Sequence, residues 1–236
     1  MKMKQKVVVL SGAGMSADSG LKTFRDADGL WEGHDVSEVA SPEGFQRNPE
    51  LVYNFYNQRR KQLLEVEPNA GHIALAKLEQ FYEVQIITQN VDDLHERAGS
   101  SKVLHLHGEL LKVRSTGPYE TVMEWHSDLY KHHKCPNGYP MRPHIVWFGE
   151  EVPLISEAVE LVCQAQIILV IGTSMQVYPA TGLLDYAIGE TPIYFIDPNP
   201  QVRPGKFKNL EIIAERAALG VPNLAYRLMR KAGGSF

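Results

Sequence analysis

Four groups of residues in this sequence have types and spacings that can do chemistry. His107 stands immediately before Gly108. An unperturbed imidazole titrates near ~6.5, which suits it to remove a proton at neutral pH. Gln89-Asn90-Val91-Asp92 follows an apolar run, so three polar side chains fall together at a strand end. Open α/β sheets bind ligands there, and such side chains can hold a ribose and a carboxamide. Gly12-Ala13-Gly14-Met15-Ser16-Ala17 follows another apolar run and fits G-x-G-x-x-G/A. In that pattern glycines allow a tight turn and close approach of the backbone to a pyrophosphate. Tyr56 and Arg59 lie three apart on a predicted helix and share a face; a planar guanidinium can grip a carboxylate through two hydrogen bonds.

These groups need elements to position them. Short apolar runs at Lys6–Leu10, Gln85–Thr88, Lys102–Leu106, Ile167–Ile171 and Pro192–Ile196 read as strands, with a weaker sixth at Leu210–Ala214. Most are apolar on both faces, as parallel strands covered by helices are. Helical patterns alternate with them at Asn69–Phe81, Ile155–Ala165, Ala180–Ile188 and Pro222–Lys231. The alternation predicts an α/β fold with a Rossmann-like, doubly wound parallel sheet. His105 and His107 point to the same side of the run Val103–His107, because strand side chains alternate; His105 reads as structural.

Two stretches interrupt the alternation. The first, Leu21 to Glu67, is a loop rich in Gly and Asp followed by a helix at Glu50–Leu64, with Asn48 as N-cap and Pro49 in the first helical position. The second, Val113 to Pro143, is polar, contains His132, His133 and Cys135, and has no strong period. A single domain over 1–236 is expected, with a large lobe from 1–20, 68–112 and 144–236 and a small lobe from 21–67 and 113–143.

A dehydrogenase would run from the glycine loop through a helix to a second strand ending in an acidic residue that holds a ribose. Here the chain continues through Thr23 to Trp31 as a loop, which leaves Asp26 and Asp28 on the wrong element. The dinucleotide reading survives and hydride transfer suffers. The bulk properties narrow the rest. A hydrophobic fraction of 44 % allows a full core, and no apolar run approaches the roughly 20 residues that span a bilayer. Two cysteines cannot build a disulfide framework in a chain this size, so a reducing cytoplasm is expected. A net charge of −4 gives no reason to expect direct nucleic-acid binding.

The ordered motifs resemble those of the sirtuins. Gly12-Ala13-Gly14-Met15-Ser16 through Phe24-Arg25, Thr88-Gln89-Asn90-Val91-Asp92, His107-Gly108, Val146-Trp147-Phe148-Gly149-Glu150, Gly172-Thr173-Ser174 and Asp197-Pro198-Asn199 each match a segment of that family, in order along nearly the whole chain. The resemblance implies removal of acyl groups from protein lysines with consumption of NAD, giving nicotinamide and an O-acyl-ADP-ribose. It implies that His107 is the general base and that Asn90 orients the ribose at the reacting centre. Asp92 would bind the nicotinamide carboxamide, Gln89 the ribose hydroxyls, and Phe24 would cover the reacting face. Gly12, Ala13, Gly14, Ser16, Arg25, Gly172, Thr173, Ser174, Asn199 and Ala217 complete the expected cofactor site. Val146, Trp147, Phe148 and Gly149 would bind the substrate peptide as an added strand. Tyr56 and Arg59 resemble the class III pattern that holds a distal carboxylate, and Ala40 a small residue that keeps the acyl pocket deep. Succinyl and malonyl groups are therefore favoured, with some deacetylation.

The chain departs from the family at its zinc cysteines. The first C-x-x-C pair is absent after Leu111-Lys112-Val113-Arg114, and only Cys135 survives of the second. No zinc is expected, and the small lobe should hold through Tyr119, Trp125, Leu129 and Tyr130, with Cys163 in the core. The competing readings are an NAD hydrolase or ADP-ribosyltransferase on the same fold, a non-catalytic NAD or ADP-ribose sensor and, last, a dehydrogenase.

Overall fold

The computed structural model describes residues 4–22, 30–31, 33–118, 121–173, 180–200 and 207–233. Its first strand, β1 (Lys6–Ser11), is buried from Val7 onward, which is possible only if both of its faces are covered. Val7 and Val9 enter one apolar cluster with Leu75, Leu78, Val221 and Leu224. Val8 and Leu10 enter another with Ala158, Val162, Leu183 and Leu184. The period of two along the strand thus sends alternate residues into two cores on opposite faces of the sheet. Full burial of one such side chain contributes about 1.5–3 kcal/mol.

The next strands in the chain are the short pair β2 (Leu30–Trp31) and β3 (His34–Asp35), then β4 (Glu83–Thr88) and β5 (Val103–His105). After them come β6 (Gly108–Ser115), β7 (Val122–Glu124), β8 (Met141–Ile145), β9 (Ile167–Ile171), β10 (Ile193–Ile196) and β11 (Leu210–Ile213). Six strands form one sheet in the order β11-β10-β9-β1-β4-β5, with every pair parallel. The doubly wound sheet expected from the sequence is present. Strand β9 matches its predicted bounds, and the other five fall within two residues of theirs.

Helices α1 (Val36–Val39), α2 (Pro42–Arg47) and α3 (Pro49–Glu65) precede the second strand of the sheet, and α4 (Ala70–Leu78) leads into it. The N-terminus of α3 is fixed as its sequence suggests: the Asn48 side chain accepts a hydrogen bond from Leu51 N–H, and Pro49 occupies the first turn. Later come α5 (Leu94–Arg97), α6 (Ile155–Cys163) and α7 (Ala217–Lys231). Helix α7 begins five residues before its expected start and carries Pro222 inside it. Proline lacks the N–H that Ala218 O would accept, but the first turn is anchored from outside, by Ala218 N–H donating to Asp18 Oδ2 at 3.3 Å. The stretch expected as a helix at 180–188 is a 3-10 helix at Ala180–Tyr186, and Ala187 N–H bonds three residues back to Leu184 O.

The second insert, read as lacking period, contains an antiparallel sheet in the order β7-β6-β8. Its strands alternate with only partial burial, and the register shifts between Gly108 and Val113, which blurs the period. Its core is Tyr53, Val113, Leu129, Cys135 and Met141, with Trp125 packed beside them. Tyr130, expected in that packing, is 43 % exposed and stacks on His132 and His133 instead. Tyr119 lies outside the described residues. Cys163 is only half-buried. Among the described residues, no helix is long and apolar enough to cross a membrane.

Candidate active site

From β1 the chain turns one way to β4 and β5, and later the other way to β9, β10 and β11. The carboxyl ends of β1 and β9 therefore flank the topological switch point, where parallel sheets open a crevice for ligands. The two turns leaving these strands are locked together. Gly12 N–H donates to Ile171 O at 3.0 Å and Gly14 N–H to Gly172 O at 2.8 Å. A Cβ on Gly14 would lie 2.7 Å from Gly172 Cα, and one on Gly172, whose φ is +59°, would collide with the backbone of Gly14 and Met15. The glycine spacing was read for its approach to a ligand; the fold also demands it for one backbone lying on another.

Three polar residues from two segments meet above this turn. Ser16 donates its hydroxyl to Asp92 Oδ2 at 2.9 Å and accepts from Asn90 Nδ2 at 3.0 Å. All three are buried. Asp92 also accepts from Leu94 N–H, yet burial outweighs these bonds and pushes its carboxyl up to about 6. Gln89 Nε2 donates to Thr173 Oγ1 at 3.1 Å and so bridges the ends of β4 and β9 across the end of β1.

The two histidines differ in how they are held. His107 Nδ1 lies 3.0 Å from the Gln89 carbonyl oxygen. A carbonyl only accepts, so the ring proton sits on Nδ1 and Nε2 keeps its lone pair. Burial lowers its pKa below the usual imidazole value, against the Gln89 bond that raises it. His105 Nδ1 faces Asn90 O at 3.1 Å, and its Nε2 faces Glu96 Oε1 at 2.8 Å. Two acceptors require two donors, which is the imidazolium. Burial pulls its pKa down, but Glu96, Glu109 and Asn90 together hold it above the usual value. As expected from alternation, both rings reach the segment after β4.

Next to His107 lies the wall built by α3. Val146 N–H donates to His107 O at 2.9 Å and Phe148 N–H to Ala40 O at 3.0 Å, so the segment Val146-Trp147-Phe148 joins the histidine turn to the Ala40 turn. It lies just beyond β8 and turns at Phe148 and Gly149. Ala40, Tyr56 and Trp147 are buried in one cluster. Trp147 Nε1–H donates to Tyr56 Oη at 2.9 Å, and the Arg59 guanidinium lies over the Phe55 ring at 4.9 Å. Phe148 and Gly149 are exposed.

A family model described as the Sir2 family matches residues 12–179 of this sequence. The chain belongs to that family. Among its Sir2 relatives, a protein named NAD-dependent protein deacylase from Helicobacter pylori is 54 % identical over 228 residues, covering 97 % of this chain and 99 % of that one. One of the same name from Bacteroides thetaiotaomicron is 52 % identical over 231 residues, covering 95 % and 98 %. Among solved structures, a variant Sir2 homologue in complex with ADP-ribose superposes with a TM-score of 0.88 at 35 % identity, over 99 % of this chain and 95 % of that one. A Sir2 homologue in complex with NAD gives 0.83 at 36 % identity, over 97 % and 91 %.

The remaining expected residues of this Sir2 chain divide. Asn199 is exposed beyond β10, with its N–H on Asp197 Oδ1 at 2.9 Å. Ala217 is buried at the start of α7, its carbonyl close against Gly71. Phe24, Arg25 and Ser174 lie outside the described residues. The sequence reading missed a set of three charges: Arg142 and Arg114 both donate to Glu150, which also accepts from Trp147 N–H at 2.8 Å. The only hint was Glu150, three residues after Trp147 at the end of an apolar segment.

Proposed function

We propose that this chain is an NAD-dependent protein-lysine deacylase that prefers succinyl and malonyl groups and also removes acetyl. The observation that carries the reading is the His107 ring, fixed by Gln89 O, with an Nε2 that has no partner among the described residues, between the polar crevice and the Tyr56–Trp147 wall. The donor set of the crevice suits NAD. The amides of Gln89 and Asn90 and the hydroxyl of Thr173 both give and accept hydrogen bonds, as ribose hydroxyls do. Asp92, buried beside them, suits a carboxamide N–H. When bound, NAD supplies an electrophilic ribose carbon and nicotinamide as leaving group.

The chain's own residues then have distinct tasks. His107 takes a proton from a ribose hydroxyl at Nε2, and the Gln89 carbonyl stabilises the imidazolium that results. Asn90, tied to Ser16 by its side chain and to His105 by its carbonyl, holds the ribose in one orientation. The backbone at 146–149 receives the peptide beside the acyl-lysine. Tyr56 and Arg59 receive the distal carboxylate of the acyl group, and buried Ala40 leaves its methylenes room. We also infer that packing holds the small sheet without zinc. In support, Cys135 is buried with Val113, Leu129 and Met141, and its sulfur accepts from Ser115 Oγ at 3.5 Å.

The test is incubation with NAD and matched succinyl-lysine and acetyl-lysine peptides, with mass spectrometry of peptides and nucleotides and of metal in the purified protein. Faster succinyl removal with O-succinyl-ADP-ribose as product, and no stoichiometric zinc, is the expected result. Consumption of NAD with both peptides unchanged would replace this reading with a hydrolase or transferase.

A further inference from the structure

The hydrogen bond between Trp147 and Tyr56 has a fixed polarity. An indole Nε1–H only donates, so Tyr56 Oη must accept it, at 2.9 Å. One in-plane side of the phenolic oxygen is thereby occupied. The phenol's own proton is turned to the other side, where no acceptor meets it among the described residues. Tyr56 is fully buried, and a buried hydroxyl with an unused proton is costly unless something supplies the acceptor. Burial also pushes the Tyr56 phenol well above its usual pKa, so that proton is present at every working pH.

Two groups hold Trp147 in place, one on its backbone and one on its ring. Glu150 Oε2 accepts from Trp147 N–H at 2.8 Å. Glu150 also takes two hydrogen bonds from Arg142, at 2.6 and 3.0 Å, and one from Arg114 at 3.1 Å. The Arg142 guanidinium lies over the Trp147 ring system, 3.3 Å from a ring centre. The pair of Arg142 and Glu150 therefore clamps both the backbone and the face of Trp147.

We propose that Trp147 is a specificity-determining positioning residue: clamped by Arg142 and Glu150, its indole N–H fixes Tyr56 as a one-way donor, so that the site selects acyl groups ending in a hydrogen-bond acceptor. This rests on the deacylase reading above. The group selected is a carboxylate rather than an alkyl end, since only an acceptor satisfies the stranded phenol proton. Trp147 acts through Tyr56 and need not touch the carboxylate itself.

The experiment measures kcat and KM for succinyl-lysine and for an alkyl-acyl-lysine of equal length, with wild type, Trp147→Phe, Tyr56→Phe and the double variant. Phenylalanine keeps a ring for Arg142 and removes the N–H. In Trp147→Phe the succinyl-to-alkyl ratio of kcat/KM should fall about tenfold, mostly through the succinyl KM, as expected for about 1.4 kcal/mol. The double variant should lose no more selectivity than Tyr56→Phe alone, because one path carries both effects. Equal losses on both acyl groups, or losses of selectivity that add in the double variant, would overturn the proposal and leave the deacylase reading standing. If Trp147→Phe does not fold, Tyr56→Phe decides: an unchanged ratio removes the one-way donor from the argument. Wild type that removes neither group would sink the deacylase reading and this proposal with it.

Discussion

The crevice at the carboxyl edge of the large sheet and the core of the small antiparallel lobe are both buried, yet they are filled in opposite ways. The crevice holds Ser11, Ser16, Thr88, Asn90, Asp92 and Thr173, all buried and polar. The lobe holds Tyr53, Val113, Leu129, Cys135 and Met141, and its polar atoms serve as staples. Asn57 donates to Leu129 O at 3.0 Å and accepts from Leu129 N–H at 2.8 Å, while Tyr53 Oη donates to Met141 O at 2.8 Å. These lobe contacts end on backbone and order the chain. In the crevice polar side chains meet one another and keep capacity for a guest. The first arrangement stabilises; the second spends stability on readiness. Asp92, driven up to about 6 by burial, shows this spending most directly.

That contrast can be broken experimentally, beginning where the effect should be largest. His107→Ala should lower kcat by roughly 10²–10⁴-fold, the range for a lost general base, with the melting temperature nearly unmoved. As the proposed base His107 must be neutral, and burial holds its pKa below 6.5, so the acid limb of kcat/KM in wild type should fall below pH 6.5. A limb above that value would remove the histidine from the role.

In the lobe the order reverses. Leu129→Ala should cost about 2–5 kcal/mol in denaturant unfolding, the usual range for emptying a buried leucine site, and the variant that remains folded should keep its KM for NAD. A large KM change at full stability would mean the two regions are coupled.

Asp92→Asn should have opposite effects on activity and stability. A carboxyl whose folded pKa is raised contributes stability that is full below about pH 3.8 and lost as pH rises through about 6. The asparagine avoids that loss and should be more stable at pH 7 by up to about 3 kcal/mol, from a shift near two units, while binding NAD more weakly by calorimetry. Equal stability of the two proteins at pH 7 would mean that Asp92 ionises there without penalty.

The smallest effect concerns His105. Its folded pKa is raised, so its contribution is full below pH 6.5 and fades as pH climbs through the higher folded value. Glu96→Gln should flatten the slope of unfolding midpoint against pH above 6.5.

The sequence showed the large sheet well because its strands are apolar on both faces, a pattern no exposed segment imitates. The five-residue run of β9 is the clearest case. The small sheet stayed hidden because β7 is largely exposed, polar Ser115 and Arg142 are buried in β6 and β8, and the register shifts at 108–113, so no period survives. The same division holds in the site. The motif residues Ser16, Gln89, Asn90, Asp92, Thr173 and His107 come from four separate segments, and the fold brings them to one crevice. The clamp of Arg142 and Glu150 on Trp147 was illegible, since a guanidinium lying on an indole leaves no mark in spacing. Early entry into α7 was illegible too, because its anchor, Asp18, is some 200 residues away.

The seam between Gly14 and Gly172 has a consequence for anyone wishing to rebuild this molecule. Two bare turns lie against each other like the leaves of a closed book, and each sets how far the other may stray. A graft that replaces one turn with a bulkier version would wedge β1 and β9 apart at the rim of the crevice. Such a swap must carry both turns together, as one cassette, or leave both alone.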